Sequence, residues 1–138
     1  CKDKVDLYQL VALIEIESRF DRFASPWSDR DLGLSYAAGL FQVTHDTITE
    51  IKKLAKQYKV SIPGLDKVST EWDKQGKDDP IWSPETNIQM GLLYMRALFA
   101  RKDCCDLSKL HEWSAIKFRW DELKEKAETY KPKPEAGQ

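Results

Sequence analysis

Apolar residues recur at helical spacing near the start of the chain. Val5, Leu7, Leu10, Val11, Leu13, Ile14 and Phe20 form one stripe, which predicts a helix from about Asp3 to Phe23. Residues 24–36, ASPWSDRDLGLSY, concentrate Pro, Ser, Asp and Gly and read as a loop with room for a short hairpin. Residues 37–43, AAGLFQV, are apolar and tight. Thr44 is placed to cap a helix over 45–58, whose inner face is Ile48, Ile51, Leu54, Ala55 and Tyr58. Periodicity then fails over 59–84, where Pro63, Gly64, Gly76, Pro80 and Pro84 punctuate a stretch that also holds Trp72 and Trp82. It reads as a long loop with one helical turn near Ser69–Lys74, and loops of that length commonly cover or line a site. The helical pattern returns from Pro84 to about Arg101, with Asn87, Met90, Gly91, Tyr94 and Leu98 on one face. A further helix begins near Asp106 or Leu107, and helical spacing covers Trp113 to Tyr130, either separate from it or continuous. The expectation is a mainly α chain, one domain over 1–130, followed by a flexible Pro-rich charged tail, KPKPEAGQ, over 131–138.

The first helix carries two glutamates within ALIEIESRFD, residues 12–21. Neighbours on a helix face lie three, four and seven positions apart. Glu15 precedes Arg19 by four, the favourable order for a surface ion pair, so Glu15 reads as the solvated acid. Glu17 shares its face with Leu10, Leu13, Ile14 and Phe20 and projects from the apolar stripe near the helix end. A carboxylate there has three uses. It stays wet at a rim, it pairs with a buried cation, or it sits at the base of a cleft, where desolvation raises its pKa and makes it a general acid. The helix alone leaves all three open.

Composition narrows the classes. A chain of 138 residues suits one domain with a real core. A net charge of -1 gives no grip on nucleic acid or anionic lipid. No apolar run approaches the roughly 18 residues that span a bilayer, and no signal peptide is visible, although Cys1 need not begin the gene product. Cys1, Cys104 and Cys105 lack zinc-type spacing, with only His45 and His111 beside them, so neither metal nor cofactor is expected. Adjacent Cys104 and Cys105 fit a mutual disulfide poorly, whereas Cys1 bonded to either would tie the first helix to a later one. Three free thiols, or a lipid anchor on Cys1, are the other readings; a helical pattern that starts almost at once leaves the anchor no spacer.

Three stretches in order resemble the lytic transglycosylase family related to goose-type lysozyme. They are ESRFD (17–21) at a helix end, AAGLFQVT (37–44), and PETNIQMGLLYMRALF (84–99), and the likeness spans roughly residues 7–100. The resemblance implies a lysozyme-like α+β domain with at most a small β-hairpin. It implies that Glu17 is the single catalytic acid/base and that Ser18 supports the substrate. Gly39, Leu40 and Gln42 match the second motif, with Phe41 where methionine is usual; Gln42 would hydrogen-bond the glycan. Asn87, Gly91 and Tyr94 match the third, and Tyr94 would face the catalytic pocket; the resemblance implies that Gly39, Asn87, Tyr94 and Phe118 join Ser18 and Gln42 in binding the substrate. In its own right, Gly39 fits a tight turn or a close backbone approach, and Gly91 lets another element come near.

The chain departs from the family in two places. Where the family carries Ala-Tyr-Asn on a later helix, the best match is AIKFRWD (115–121), which puts Phe118 at the tyrosine and Arg119 at the asparagine. Phe118 has no hydroxyl for Glu17, and an arginine there favours the ionised carboxylate, lowering its pKa and hindering an acid. The loop over 59–83 is also longer, and its Trp72 and Trp82 read either as sugar-stacking rings or as plugs that hold the loop on the core.

Ordinary glycosidases set two carboxylates about 5–5.5 Å or 6.5–9.5 Å apart. Besides Glu17, the sequence offers Asp21, one helical turn on, and Asp29 and Asp31 in the following loop, which read more simply as solvated loop acids. A single acid suits the family's chemistry: cleavage of the β-1,4 bond between N-acetylmuramic acid and N-acetylglucosamine with formation of a 1,6-anhydromuramoyl end. The resemblance therefore implies a peptidoglycan-cleaving enzyme in the periplasm or exported, with glycan strands as partner and an envelope-spanning assembly as a further candidate. A non-catalytic glycan- or partner-binding module and a muramidase-type hydrolase are the rival readings. Other sites fail on their residues: Thr44-His45-Asp46 are adjacent and cannot form a triad, no Gly-x-Ser-x-Gly or phosphate-cradling loop occurs, and Asp29 and Asp31 lack the rest of a calcium loop.

Overall fold

The computed structural model describes residues 5–27 and 37–133. Helix α1 spans Leu7–Ser18, capped by Asp6, whose Oδ1 accepts from the Tyr8 N–H at 2.8 Å and the Gln9 N–H at 3.3 Å. It stops five residues short of Phe23. Arg19 and Phe20 both take the left-handed region, at φ 53° and 61°, a conformation that costs a non-glycine residue about 1–2 kcal/mol. The apolar spacing runs on to Phe20 and Phe23, but those side chains belong to a turn. Two expectations fall with the shorter helix. Arg19 is the left-handed cap rather than a helical i+4 neighbour, so Glu15 pairs instead across to the last helix, with Lys126 Nζ at 2.8 Å and with the Tyr130 hydroxyl. Asp21 is likewise off the helix, its Oδ1 accepting from the Phe23 N–H at 2.9 Å.

A short hairpin forms over residues 37–44. Strands β1 (Ala37–Ala38) and β2 (Val43–Thr44) pair antiparallel, Ala37 opposite Thr44 and Ala38 opposite Val43. Most of the loop first expected to hold a hairpin, residues 28–36, lies outside the described residues, as do Cys1, Asp29, Asp31 and the tail beyond Lys133. Thr44 then opens α2 (His45–Tyr58), with Thr47 Oγ1 donating to the Thr44 carbonyl at 2.8 Å. Helix α3 spans Pro84–Lys102, with proline at its first position, where a missing N–H costs nothing.

The stretch between α2 and α3 has more order than its glycines and prolines imply. It holds three single 3-10 turns, Leu65–Lys67, Trp72–Lys74 and Pro80–Trp82, where one turn was expected. Asp79 ties two of its arms together, accepting from the Ile81 N–H at 2.8 Å and the Ser69 N–H at 3.0 Å. Thr86 Oγ1 donates to the Pro63 carbonyl at 2.6 Å, and Lys52 Nζ to that of Val68 at 2.6 Å. Trp82 is a plug: it is buried, donates Nε1–H to the Gly76 carbonyl at 3.0 Å and stacks on Trp27 at 5.3 Å.

After α3 come a 3-10 turn at Leu107–Lys109, then α4 (Ser114–Phe118) and α5 (Trp120–Tyr130). The helix expected near Asp106 is only that 3-10 turn, and Arg119, at φ -132° and ψ 31°, splits in two the stretch from Trp113 to Tyr130 that helical spacing covered as one. The main helix–helix contact is α1 along α5, and Leu13, Ile48, Ile51, Met90, Ile116 and Leu123 meet in the core fully buried. Each such side chain contributes about 1.5–3 kcal/mol. Among the described residues the architecture is therefore mainly helical with one two-stranded ribbon, the lysozyme-like α+β arrangement that the resemblance implied. Cys105 is in a disulfide. No helix among the described residues is long and apolar enough to cross a membrane.

Candidate active site

Glu17 lies one residue before the end of α1, where the helix meets α4. Its Oε1 accepts from the Ala115 N–H at 3.1 Å, and the Ser114 hydroxyl also reaches the carboxylate. Ala115 is in the first turn of α4, whose cap residue, Trp113, supplies no side-chain acceptor. A carboxylate brought in from α1 does that work instead. Burial pushes the Glu17 carboxyl above its ordinary pKa, and it outweighs the Ala115 N–H, the Ser114 hydroxyl and the Arg119 charge, which all pull downward. Glu15, Asp106 and Glu122 move the opposite way, each chiefly through side-chain hydrogen bonds. Two neighbouring glutamates on one helix thus divide: Glu15 is held ionised by Lys126 and Tyr130, and Glu17 is biased toward its protonated form.

Arg119 does not take the place of the missing tyrosine hydroxyl. Its guanidinium is engaged by Glu122 through two bonds, Nε–H to Oε2 at 2.7 Å and Nη2–H to Oε1 at 2.6 Å, so it reaches Glu17 only as a distant charge. Phe118 is 73% exposed, with Lys117 over its ring.

The ribbon turn is held from below by α3. Asn87 is buried and uses both ends of its amide: Oδ1 accepts from the Phe41 N–H at 2.7 Å, and Nδ2 donates to the carbonyls of Ala38 and Ile81, both at 2.9 Å. Gly39, at φ 76°, has no room for a side chain, because a Cβ there would lie 2.3 Å from Asn87 Nδ2. Gly91 plays the matching part on α3: a Cβ would lie 2.4 Å from the Phe41 ring. Phe41 is thereby seated in the core, and its carbonyl accepts from Trp113 Nε1–H at 3.1 Å. This last bond links the ribbon turn to the residue just before Ser114 and Ala115.

A cavity of about 220 Å³ opens above that turn, with Gln42, Thr44, Thr47, Tyr94, Glu112 and Trp113 in its wall. Gln42, left-handed at φ 52°, donates Nε2–H to the Gly39 carbonyl at 2.8 Å and the Ala24 carbonyl at 2.9 Å. Its amide oxygen is thus aimed by the two bonds at the nitrogen. Tyr94 is half-buried against Trp113, with ring centroids 5.9 Å apart. Desolvation first, then the charges of Glu50 and Glu112, raise the pKa of its hydroxyl and keep it a donor. Ser18 is placed differently: it is buried, and its hydroxyl donates to the Ile14 carbonyl at 2.8 Å, inside the helix end.

The structure thus gathers Gln42 and Tyr94 at one cavity and puts Gly39 and Asn87 beneath it. Glu17 stands beyond Trp113, Ser18 inside α1 and Phe118 at the surface. Sequence reasoning passed over Glu112, Trp113, Ser114 and Ala115. Their run, EWSA, alternates exposed polar and buried residues on entry to a short helix, but nothing local says that its amide faces α1.

The family model described as "Transglycosylase SLT domain" matches residues 1–116 of the chain. No significant match was found among curated proteins or among solved structures.

Proposed function

The chain belongs to the transglycosylase SLT domain family, and from that membership we propose that it cleaves peptidoglycan glycan strands as a lytic transglycosylase, with Glu17 as its one acid/base. The observation that carries the reading is the opposite treatment of two glutamates on α1, with burial raising Glu17 while ion pairing lowers Glu15. A carboxyl group biased toward its protonated form can donate to the glycosidic oxygen between N-acetylmuramic acid and N-acetylglucosamine. As the bond breaks, positive charge develops at C1, and the 2-acetamido carbonyl of the substrate stabilises it. Glu17, now a carboxylate steadied by the Ala115 N–H and Ser114, accepts the proton of the muramoyl 6-hydroxyl as that oxygen attacks C1. The product is a 1,6-anhydromuramoyl end, and no water is consumed.

In this reading Gln42 and Tyr94 supply polar contacts to the glycan, and Trp113 supplies an aromatic wall. Gly39, Asn87 and Ser18 act beneath them as positioning residues: the first two set the ribbon turn, and the third steadies the helix end that carries Glu17. Because peptidoglycan lies outside the cytoplasmic membrane, the reading places the protein in the cell envelope, periplasmic or exported.

One observation favours a different reading. Glu17 caps the first turn of α4, a purely structural use of a carboxylate that a non-catalytic glycan-binding module would share. Digestion of purified sacculi, with soluble products read by mass spectrometry, separates the readings. Anhydro ends support the transglycosylase, hydrated reducing ends a hydrolase, and sacculus binding without released muropeptides the module.

A further inference from the structure

A second groove lies at the end of α1, where α1 packs on α5. Its volume is about 510 Å³, and its wall sets Arg19, Arg119 and Lys126 against Glu15 and Glu122, with Phe20 at one end. It adjoins the candidate site: Ile16, the residue before Glu17, is in its wall, and the Arg119 charge is felt at Glu17. Four of these charges are already ordered, as Arg119 with Glu122 and Lys126 with Glu15. The fifth is not: among the described residues no group pairs with the Arg19 guanidinium, which is exposed at the lip. The groove therefore carries one positive charge in excess. Two consecutive left-handed residues, Arg19 and Phe20, turn the chain so that both side chains border it. Strain of that kind persists where the surroundings over-determine it, and it clusters at binding sites.

This lining does not suit a neutral sugar, which is recognised by aromatic faces and uncharged hydrogen-bonding groups of the kind found around Gln42, Tyr94 and Trp113. It suits a zwitterion. We propose that the groove is a subsite for the peptide branch of the glycan strand: a short peptide whose carboxylates meet Arg19 and the unused donors of Arg119, whose ammonium group meets Glu15, and whose small apolar side chains cover Phe20. The inference rests on the reading of the chain as a peptidoglycan-cleaving protein. It makes Arg19 a specificity-determining residue that distinguishes peptide-bearing strands from bare glycan.

The test uses a synthetic stem tetrapeptide with a central diamino acid and no sugar attached, titrated into the whole chain by calorimetry and followed by NMR shifts. The groove predicts saturable binding, with shifts at Arg19, Phe20 and Lys126. Arg19→Gln should weaken binding about five- to tenfold, as expected for the loss of one charge-assisted contact, while Arg19→Lys recovers most of it. Arg19 is exposed, so an unchanged melting temperature certifies the fold of both variants. Equal affinity in the native protein and Arg19→Gln, shifts confined to other surfaces, or no binding at about 5 mM peptide would overturn the proposal. Free-peptide binding needs no bond cleavage. A protein that binds the peptide but releases no muropeptides defeats only the lytic reading, and one that releases them but ignores the peptide defeats only the groove.

Discussion

Asn87 is the sharpest case in which the family motif and the geometry assign different work to one residue. The motif places it among substrate contacts, whereas its amide spends both ends on backbone groups that shape the ribbon turn. Replacing it with alanine removes three hydrogen bonds of 2.7, 2.9 and 2.9 Å from a buried site. Each is worth about 1 kcal/mol net, and the Phe41 N–H loses a partner it cannot replace without water, so the loss should be about 3–4 kcal/mol. That is a large share of the roughly 5–15 kcal/mol that holds a domain of this kind together, and it corresponds to a fall in melting temperature of about 10–15 °C. The assay is urea and thermal unfolding by circular dichroism, run beside sacculus digestion below the transition. Because the turn carries Gln42, kcat should fall along with stability. Asn87→Asp sharpens the test. It keeps the acceptor for the Phe41 N–H but turns a second carboxyl oxygen toward two carbonyls. The new acid should have a raised folded pKa, so the variant is most stable at low pH and loses stability as pH rises through that value. A stability within about 1 kcal/mol of the native protein for Asn87→Ala, with KM raised and kcat intact, would refute the positioning role and put Asn87 in contact with the glycan.

Two further predictions concern the same frame. Gly91→Ala drives a Cβ into the Phe41 ring and should destabilise by about 1–3 kcal/mol, and adding Phe41→Leu should recover part of that loss, which a double-mutant cycle in urea would measure. Glu17→Gln keeps an oxygen for the Ala115 N–H but cannot ionise. Since the folded pKa of Glu17 is raised, its stabilising contribution is present at low pH and fades as pH rises through the folded value. The variant should therefore equal the native protein near pH 4 and exceed it above neutrality, and melting curves across pH that stay parallel would contradict this.

What the sequence made legible follows the range of the interactions. Helices α2 and α3 begin where Thr44 and Pro84 announce them, because start signals act within a few residues, although the Thr44 side chain makes no cap hydrogen bond. The end of α1 was misjudged because Arg19 and Phe20 adopt a left-handed turn without being glycine or asparagine, and the apolar spacing continues across them. The pair Glu15–Arg19 failed for that reason, since Lys126 and Tyr130, more than a hundred residues away, take the carboxylate. The shared face of Asn87 and Gly91 was readable from spacing, whereas its occupants, the ribbon turn and Phe41, are set by tertiary packing. The contest over Glu17 was also visible in outline: an apolar face argued for a raised pKa and Arg119 for a lowered one. Only the fold decides it, by committing Arg119 to Glu122 and covering Glu17.

The most direct measurement is digestion of purified sacculi by the native protein and by Glu17→Gln, both confirmed folded, with products resolved by mass spectrometry. The account predicts 1,6-anhydromuramoyl ends from the native protein and none from the variant. Equal product yields from the two proteins would contradict it, because cleavage would then proceed without the Glu17 carboxyl.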